Sequence, residues 1–247
     1  IQTVEAIVTS GSGAIDVSAA GNLTLGAVAQ SAQGPLTLSA GGNLTAVVGG
    51  DIQTSGGAVR LVADADTTGG GAMTLADGTL VDAGSGTITL LATGDITLGR
   101  LKTTNATTAA VLIRSTGGRI LDGGDAGGPD ITAEAVGAVT KLEAALGIGT
   151  SANGLDLAVQ QLVTQTTHSD QYLSELDNLA GLDLNAGTGT IGLTAGGQIQ
   201  DSDSSVDIRA AALELQAAAA GTWLNPLQTE LATLSATALT GDLYLQE

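Results

Sequence analysis

The chain has no cysteine and no phenylalanine, and only three aromatic residues, Trp223, Tyr172 and Tyr244, among 247. Without cysteine, neither disulfides nor thiolate metal sites can hold the fold together. Without aromatic side chains to fill wide gaps, the core must be narrow and built from Leu, Ile, Val and Ala. Three prolines and no apolar run near the ~18 residues of a membrane span exclude collagen and membrane insertion.

Positive charge is also scarce. Lys and Arg number 7 against 25 Asp and Glu, which gives a formal net charge of −18. Nucleic acids and anionic lipids bind to clustered positive charge, so both are excluded as partners. Disorder is excluded too, because 43% of the residues are hydrophobic.

Glycine, by contrast, is abundant at 37 residues and recurs within short repeats. Each repeat has an aliphatic–polar–aliphatic triplet, a glycine-bearing turn and a second triplet, and this alternation indicates short strands. The clearest examples are IDVSAAGNLTL at 15–25, LTLSAGGNLT at 36–45, ITLLATGDITL at 88–98 and LDLNAGTGTIGL at 182–193. The starts Ile15, Leu36 and Val59 are 21 and 23 residues apart, a spacing typical of solenoids.

The repeats predict an all-β fold, a parallel β-helix of about 11 coils stacked ~4.8 Å apart. The longer gap between Val59 and Ile88 predicts a loop at 64–71. The segments 153–162 and 225–234 each predict a short helical turn within the strands. Outward threonines are expected to form one polar stripe, consisting of Thr24, Thr37, Thr74, Thr89 and Thr97.

A longer repeat occupies the C-terminal half. Residues 149–175 match residues 221–247 at an offset of 72 without a gap, and the match includes Tyr172 with Tyr244. We therefore predict one continuous β-helix over 1–247. Within it, the short repeats cover 1–99, the first module copy covers 100–175 and the second copy covers 176–247.

The strings LTLSAGGNLT, GGQIQDSD followed by DIRAAALELQA, and GTWLNPLQTELATLSATALTGDLYLQE resemble repeats of filamentous haemagglutinin-like giant bacterial surface proteins. The resemblance is one of repeat style and covers nearly the whole chain. It implies a right-handed parallel β-helix that is exported and serves as a stalk or adhesive fibre.

Two acidic clusters are candidate calcium sites, because closely spaced carboxylates can hold that ion. They consist of Asp122, Asp125 and Asp130 in the first module copy and of Asp201, Asp203 and Asp207 in the second. The preferred interpretation is that these acids lie in solvated loops, where substituting Asp125 and Asp130 barely changes folding. The sequence therefore predicts no cofactor, with calcium as the one candidate.

Residues suited to catalysis are few. His168 is the single histidine, and Thr240 replaces it in the second copy, so the module does not require it. We expect no enzyme activity. The alternative is a carbohydrate-active β-helix enzyme with acids and a basic partner near 100–119.

The remaining alternative is a glycan- or receptor-binding module on the loops at 122–130 and 168–172. Loops added to regular repeats are a usual place for such a function. Trp223, Tyr172 and Tyr244 either form part of a partner surface or pack at module junctions.

The sequence therefore predicts a structural or adhesive segment of a large secreted protein at the bacterial cell surface. Its expected partners are neighbouring β-helix segments or identical copies placed end to end, and a host glycan or receptor. Because the chain starts at Ile1 and both ends read as strands, we expect an internal segment of a longer rod.

Overall fold

The computed structural model describes residues 2–201 and 203–247, and its regular structure consists of 26 β-strands that pair in parallel. Successive coils stack into a β-solenoid of about 11 turns. The predicted all-β solenoid is therefore confirmed. Within the described residues, no helix of the length and apolarity needed to cross a membrane occurs.

Each of the first six coils contributes three short strands, one to each side of a three-sided coil. The strands are β1 Gln2–Val4, β2 Ile7–Thr9, β3 Ile15–Ala19, β4 Leu23–Leu25, β5 Ala29–Ser31, β6 Leu36–Ala40, β7 Leu44–Ala46, β8 Ile52–Thr54, β9 Val59–Val62, β10 Met73–Leu75, β11 Leu80–Asp82, β12 Ile88–Ala92, β13 Ile96–Leu98, β14 Arg100–Lys102, β15 Val111–Ser115, β16 Ile120–Asp122, β17 Ile131–Ala133 and β18 Val139–Ala144.

The later coils contain eight strands, three of which have 10 to 13 residues. The eight strands are β19 Leu155–Val159, β20 Gln161–Thr166, β21 Gln171–Glu175, β22 Leu182–Asn185, β23 Thr190–Ile199, β24 Ile208–Ala220, β25 Leu227–Ala238 and β26 Leu245–Gln246. In the coils from β21 onward, a single strand covers two neighbouring sides. In β21, Gln171 continues the column of β16, and two residues later Leu173 pairs with β19.

Three ladders of strands define the sides of the solenoid. Side 1 starts with β1-β4-β7-β10-β13-β16. Side 2 contains β2-β5-β8-β11-β14-β17-β19, and side 3 contains β3-β6-β9-β12-β15-β18-β20-β22. Every pairing between neighbouring coils is parallel, so the backbone hydrogen bonds run along the solenoid axis.

The core is a set of aliphatic columns between these sides. On side 3, Ile15 pairs with Leu36, Leu36 with Val59, Val59 with Ile88, and Ile88 with Val111, and all five are buried. These are the residues whose spacing predicted the coil, so the predicted register is confirmed. The longer gap between Val59 and Ile88 contains a loop, as predicted, because residues 63–72 connect β9 to β10.

The prediction of a single threonine stripe is wrong. Thr24 pairs with Thr45, Thr45 with Thr74, and Thr74 with Thr97, which makes one column on side 1. Thr37 and Thr89 lie on side 3, where Arg60 separates them. The sequence could not separate these columns because every triplet places its polar residue outward, whichever side the triplet occupies.

The two predicted helical turns are also wrong. Residues 155–159 and 161–166 form β19 and β20, and residues 227–238 form β25. Leu155 and Leu157 point inward and pair with Leu173 and Glu175 in the next coil. Parallel partners on the neighbouring coils therefore override the helix propensity of Ala, Leu, Gln and Glu.

The two module copies follow one another along continuous ladders, but their equivalent residues lie on different sides. Leu155 is on side 2, whereas its equivalent Leu227 begins the β25 stretch that pairs on side 3. Leu162 is on side 3, whereas its equivalent Leu234 pairs with Leu213 on side 1. The 72-residue module thus spans three coils and one further side, so equivalent loops are rotated by one third of a turn about the axis.

Close stacking of coils requires glycine at one corner. Gly34, Gly57 and Gly86 form a column before side 3, and a Cβ on any of them would overlap the carbonyl group of the glycine one coil earlier. Short polar side chains assist the same stacking: Asn22 Oδ1 accepts the Asn43 N–H at 2.9 Å, and Asn43 Oδ1 accepts the Ala72 N–H at 2.9 Å.

We expect Gly57→Ala to lower the free energy of unfolding by about 2 kcal/mol or more, because the added methyl group would push two coils apart. Gly69→Ala is the matched control, since nothing lies within 4 Å of its added Cβ, and its effect should stay within about 0.5 kcal/mol. Urea unfolding of both variants measures the difference. Equal effects would contradict the close stacking at this corner.

Candidate functional site

Asp130, predicted as a loop acid and candidate calcium ligand, is a buried residue. Only 2% of its surface is exposed, and its Oδ2 accepts the Asp156 N–H at 2.9 Å. Burial, together with the nearby charges of Asp122 and Asp156, raises the pKa of Asp130 to about 8. The expectation that Asp130 lies in a solvated loop is therefore wrong, whereas the expectation that its substitution barely changes folding stays a prediction.

Asp207 has the same role in the second copy. It is 4% exposed, its Oδ2 accepts the Gln228 N–H at 2.8 Å, and Gln228 is the equivalent of Asp156. Burial raises the pKa of Asp207 to about 6, and the nearby negative charges of Asp201, Asp203 and Asp183 contribute to this rise.

The first module copy also contains a cluster of three carboxylates, which includes the predicted Asp122 and Asp125 but not Asp130. Oxygen atoms of Asp122, Asp125 and Asp156 lie within 4.8 Å of one another. Asp122 Oδ1 accepts the Gly124 N–H at 2.5 Å, whereas Asp122 Oδ2 is buried without a hydrogen-bond partner among the described residues. Sequence reasoning missed Asp156, because it is brought to the loop by stacking of the next coil.

The second cluster has a similar orphaned oxygen. Asp201 Oδ1 accepts the Asp203 N–H at 2.9 Å, and Asp201 Oδ2 is buried and unpartnered within the described part of the chain. Asp203 Oδ1 accepts hydrogen bonds from the Ser205 N–H and hydroxyl groups. Among the described residues, the carboxylate oxygens of Asp201, Asp203 and Asp207 do not all lie within 4.8 Å of one another, so the structure does not bring this second set together as an ion site. Calcium stays the candidate alternative to solvated acids at these positions.

Glu175 is a third buried carboxyl group, at the end of β21. It is 2% exposed, and its Oε1 and Oε2 accept the Val159 N–H at 3.3 and 3.2 Å. Its equivalent Glu247 makes the same contact, with the Leu231 N–H at 3.1 Å. Burial raises the pKa of Glu175 to about 8. These acids bond backbone groups between coils, a role that the sequence pattern did not reveal.

The three aromatic residues are not brought together. The Tyr172 ring lies over Gly192 on the outer face of side 1. Trp223 is 81% exposed and packs edge-on against Tyr244 with ring centroids 6.5 Å apart. Tyr244 follows Leu243, which pairs with Ala220 at the end of side 2, so the aromatic residues form two separate patches.

The basic residues predicted to supply a catalytic groove are dispersed. Arg114 and Lys141 both pair with Glu143 on side 3, the lysine at 2.7 Å. Arg100 is in β14 on side 2, with its side chain against Gly127. Arg119 precedes side 1. The stretch 100–119 therefore does not form a single basic groove.

Two shallow hollows, one on side 1 and one that continues onto side 2, meet at Tyr172 and Ser151. One, of about 420 Å³, extends past Gly192 to Glu214 and Gln216. The other, of about 400 Å³, contains Arg119, His168 and Asp170 along its edge. They bring an aromatic ring together with carboxylate, amide, imidazole and guanidinium groups.

The chain was compared with models of protein families, with curated protein sequences and with solved structures, and none of them matches it. The filamentous haemagglutinin-like family therefore stays a resemblance of repeat style.

We expect the solenoid to lose stability as pH rises from 4.5, the ordinary pKa of glutamic acid, to about 8, the pKa of Glu175. A carboxyl group whose pKa is raised by folding binds its proton more tightly in the folded chain, so deprotonation favours unfolding. Glu175→Gln keeps an acceptor for the Val159 N–H and should remove up to about 5 kcal/mol of this loss.

The measurement is urea unfolding at pH 5 and pH 9. Glu134→Gln, the same change at an exposed residue, is the control and should keep the pH dependence of the unchanged chain. If Glu175→Gln shows the full pH dependence, the carboxyl group does not contribute in this way.

Proposed function

We propose that the chain is a structural segment, a stalk or fibre portion of a large secreted protein at the bacterial cell surface. The observation that carries the proposal is the single aliphatic core, which runs without a break from Val4 to Leu227. Such a core, with hydrogen bonds along its axis, resists bending over its whole length. A rigid element of roughly 50 Å suits a protein that must hold another group away from a surface.

The charge distribution supports this role. The solenoid places hydrophobic residues inside and leaves most of its 25 acids on the surface or at the corners. A net charge of −18 makes rods repel one another and limits lateral association. A secreted location is consistent with this charge and with the family resemblance.

The partner expected for a stalk is another coil. The Thr233–Ala238 stretch of β25 pairs with β24 along one edge. Its other edge has no strand partner among the described residues. Leu234 and Leu239 are 51% and 50% exposed there. A neighbouring segment of the same protein or an identical copy would add the next coil and cover them.

The test displays the chain between a bacterial outer-surface anchor and an antibody epitope, and measures the height of the epitope above the membrane. The control is a Gly/Ser linker of about 80 residues, which has a root-mean-square reach of roughly 50 Å. We expect similar mean heights and a much narrower spread for the solenoid. A spread as broad as that of the linker would contradict a stalk function.

A further inference from the structure

The two hollows meet where Tyr172 lies between glycines in its column. In the first coils its column consists of Thr24, Thr45, Thr74 and Thr97. In the coil before Tyr172 the column contains Gly149, and in the coil after it Gly192. Because the glycines have no side chains, there is open space on the outer face on both sides of the Tyr172 ring, and the two hollows lie there.

The orientation of the Tyr172 ring depends on Gly192. A Cβ at residue 192 would lie 2.7 Å from Tyr172 Cδ1 and 3.2 Å from Cε1, so the glycine allows the ring to lie against the sheet. Tyr172 remains half-buried, with part of its ring open to solvent. The hydroxyl group makes no hydrogen bond to the described residues, whereas the Tyr244 hydroxyl donates to Asp242 at 3.3 Å.

Polar groups surround this ring. Glu214 is two coils from Tyr172 in the same outward column, Gln216 is two residues beyond it, and both are exposed. In the second hollow, His168 Nδ1 accepts the Thr188 N–H at 3.2 Å, which leaves Nε2 to carry the proton and act as a donor. His168 adopts a positive φ of 56°, a conformation that non-glycine residues rarely take.

We propose that the two hollows form one binding site for a neutral oligosaccharide, with a sugar ring stacked on Tyr172 and its hydroxyl groups bonded to Glu214, Gln216 and His168. Sugar rings present an apolar face for an aromatic ring and hydroxyl groups at the rim. Each hollow has the volume of an ordinary small-molecule site, ~300–1,000 Å³. The open shape suits a chain of sugars that extends along the solenoid axis.

The charges at the site favour a neutral ligand. Asp170 and Glu214 lie on opposite sides of Tyr172. Burial has the largest effect in raising the pKa of the Tyr172 hydroxyl group, and the negative charges of these two acids raise it further. The single cation at the edge, Arg119, is outnumbered, and the whole chain carries a charge of −18. A polyanionic sugar would therefore be repelled.

This site does not depend on the stalk function, because it needs only the local geometry around Tyr172. The experiment is isothermal titration of the whole chain with maltohexaose, cellohexaose and mannohexaose, and with hexagalacturonic acid as the polyanionic probe. We expect at least one neutral hexasaccharide to bind. Saturation-transfer NMR should show contact between its sugar protons and tyrosine protons.

Tyr172→Ala should weaken this binding about tenfold or more. Tyr172→Phe should retain it, because stacking needs the ring alone. Tyr244→Ala is the matched control, as it removes the equivalent tyrosine, which lines neither hollow, and should leave binding unchanged. Thermal unfolding of each variant shows that it is folded.

Three results would overturn the proposal. One is that no neutral hexasaccharide binds the folded chain at concentrations up to about 10 mM, ten times the 1 mM Kd that corresponds to about −4.1 kcal/mol. Another is that hexagalacturonic acid binds more tightly than the neutral probes. The third is that folded Tyr172→Ala binds as well as Tyr244→Ala.

Discussion

Parallel hydrogen bonding of each coil to the one before it is the constraint on which the rest of this structure depends. The ladders fix the distance between coils, so every position along a coil meets its counterpart in the next. Where two backbones meet at a corner, only glycine fits, as at Gly57. Where a side chain points inward, it must match the aliphatic column of Ile15, Leu36 and Val59. The near absence of aromatic residues follows, because the space between three closely joined sides is narrow.

Acidic residues have two roles in this architecture. Many are exposed and keep the solenoid charged. Others supply acceptors where the backbone ladder lacks one, and Asp130, Asp207 and Glu175 each accept an N–H of a neighbouring coil while buried. Because burial disfavours the charged form, these same contacts make the stability depend on pH. The duplicated module keeps the contacts in both copies, although one third of a turn separates the copies.

The fold could be predicted from the sequence because period-two triplets at a fixed spacing leave few alternatives to stacked parallel strands. The register of Ile15, Leu36 and Val59 could be predicted for the same reason. The sites could not, because they combine residues from different coils. Asp156 approaches Asp122 and Asp125 only after stacking, and the hollows around Tyr172 depend on which coil carries Gly192. The 72-residue length of the module also does not reveal that the second copy starts one side further around the solenoid than the first.

The most direct test of the account is a distance measured along the whole stack. The chain has no native cysteine, so spin labels can be attached to cysteines introduced by Val8→Cys in the first coil and Leu234→Cys in the last, at residues that are 64% and 51% exposed. Ten steps of ~4.8 Å predict one narrow distribution of distances near 50 Å in a double electron–electron resonance experiment. A broad distribution, or a distance far below this value, would contradict a single continuous solenoid.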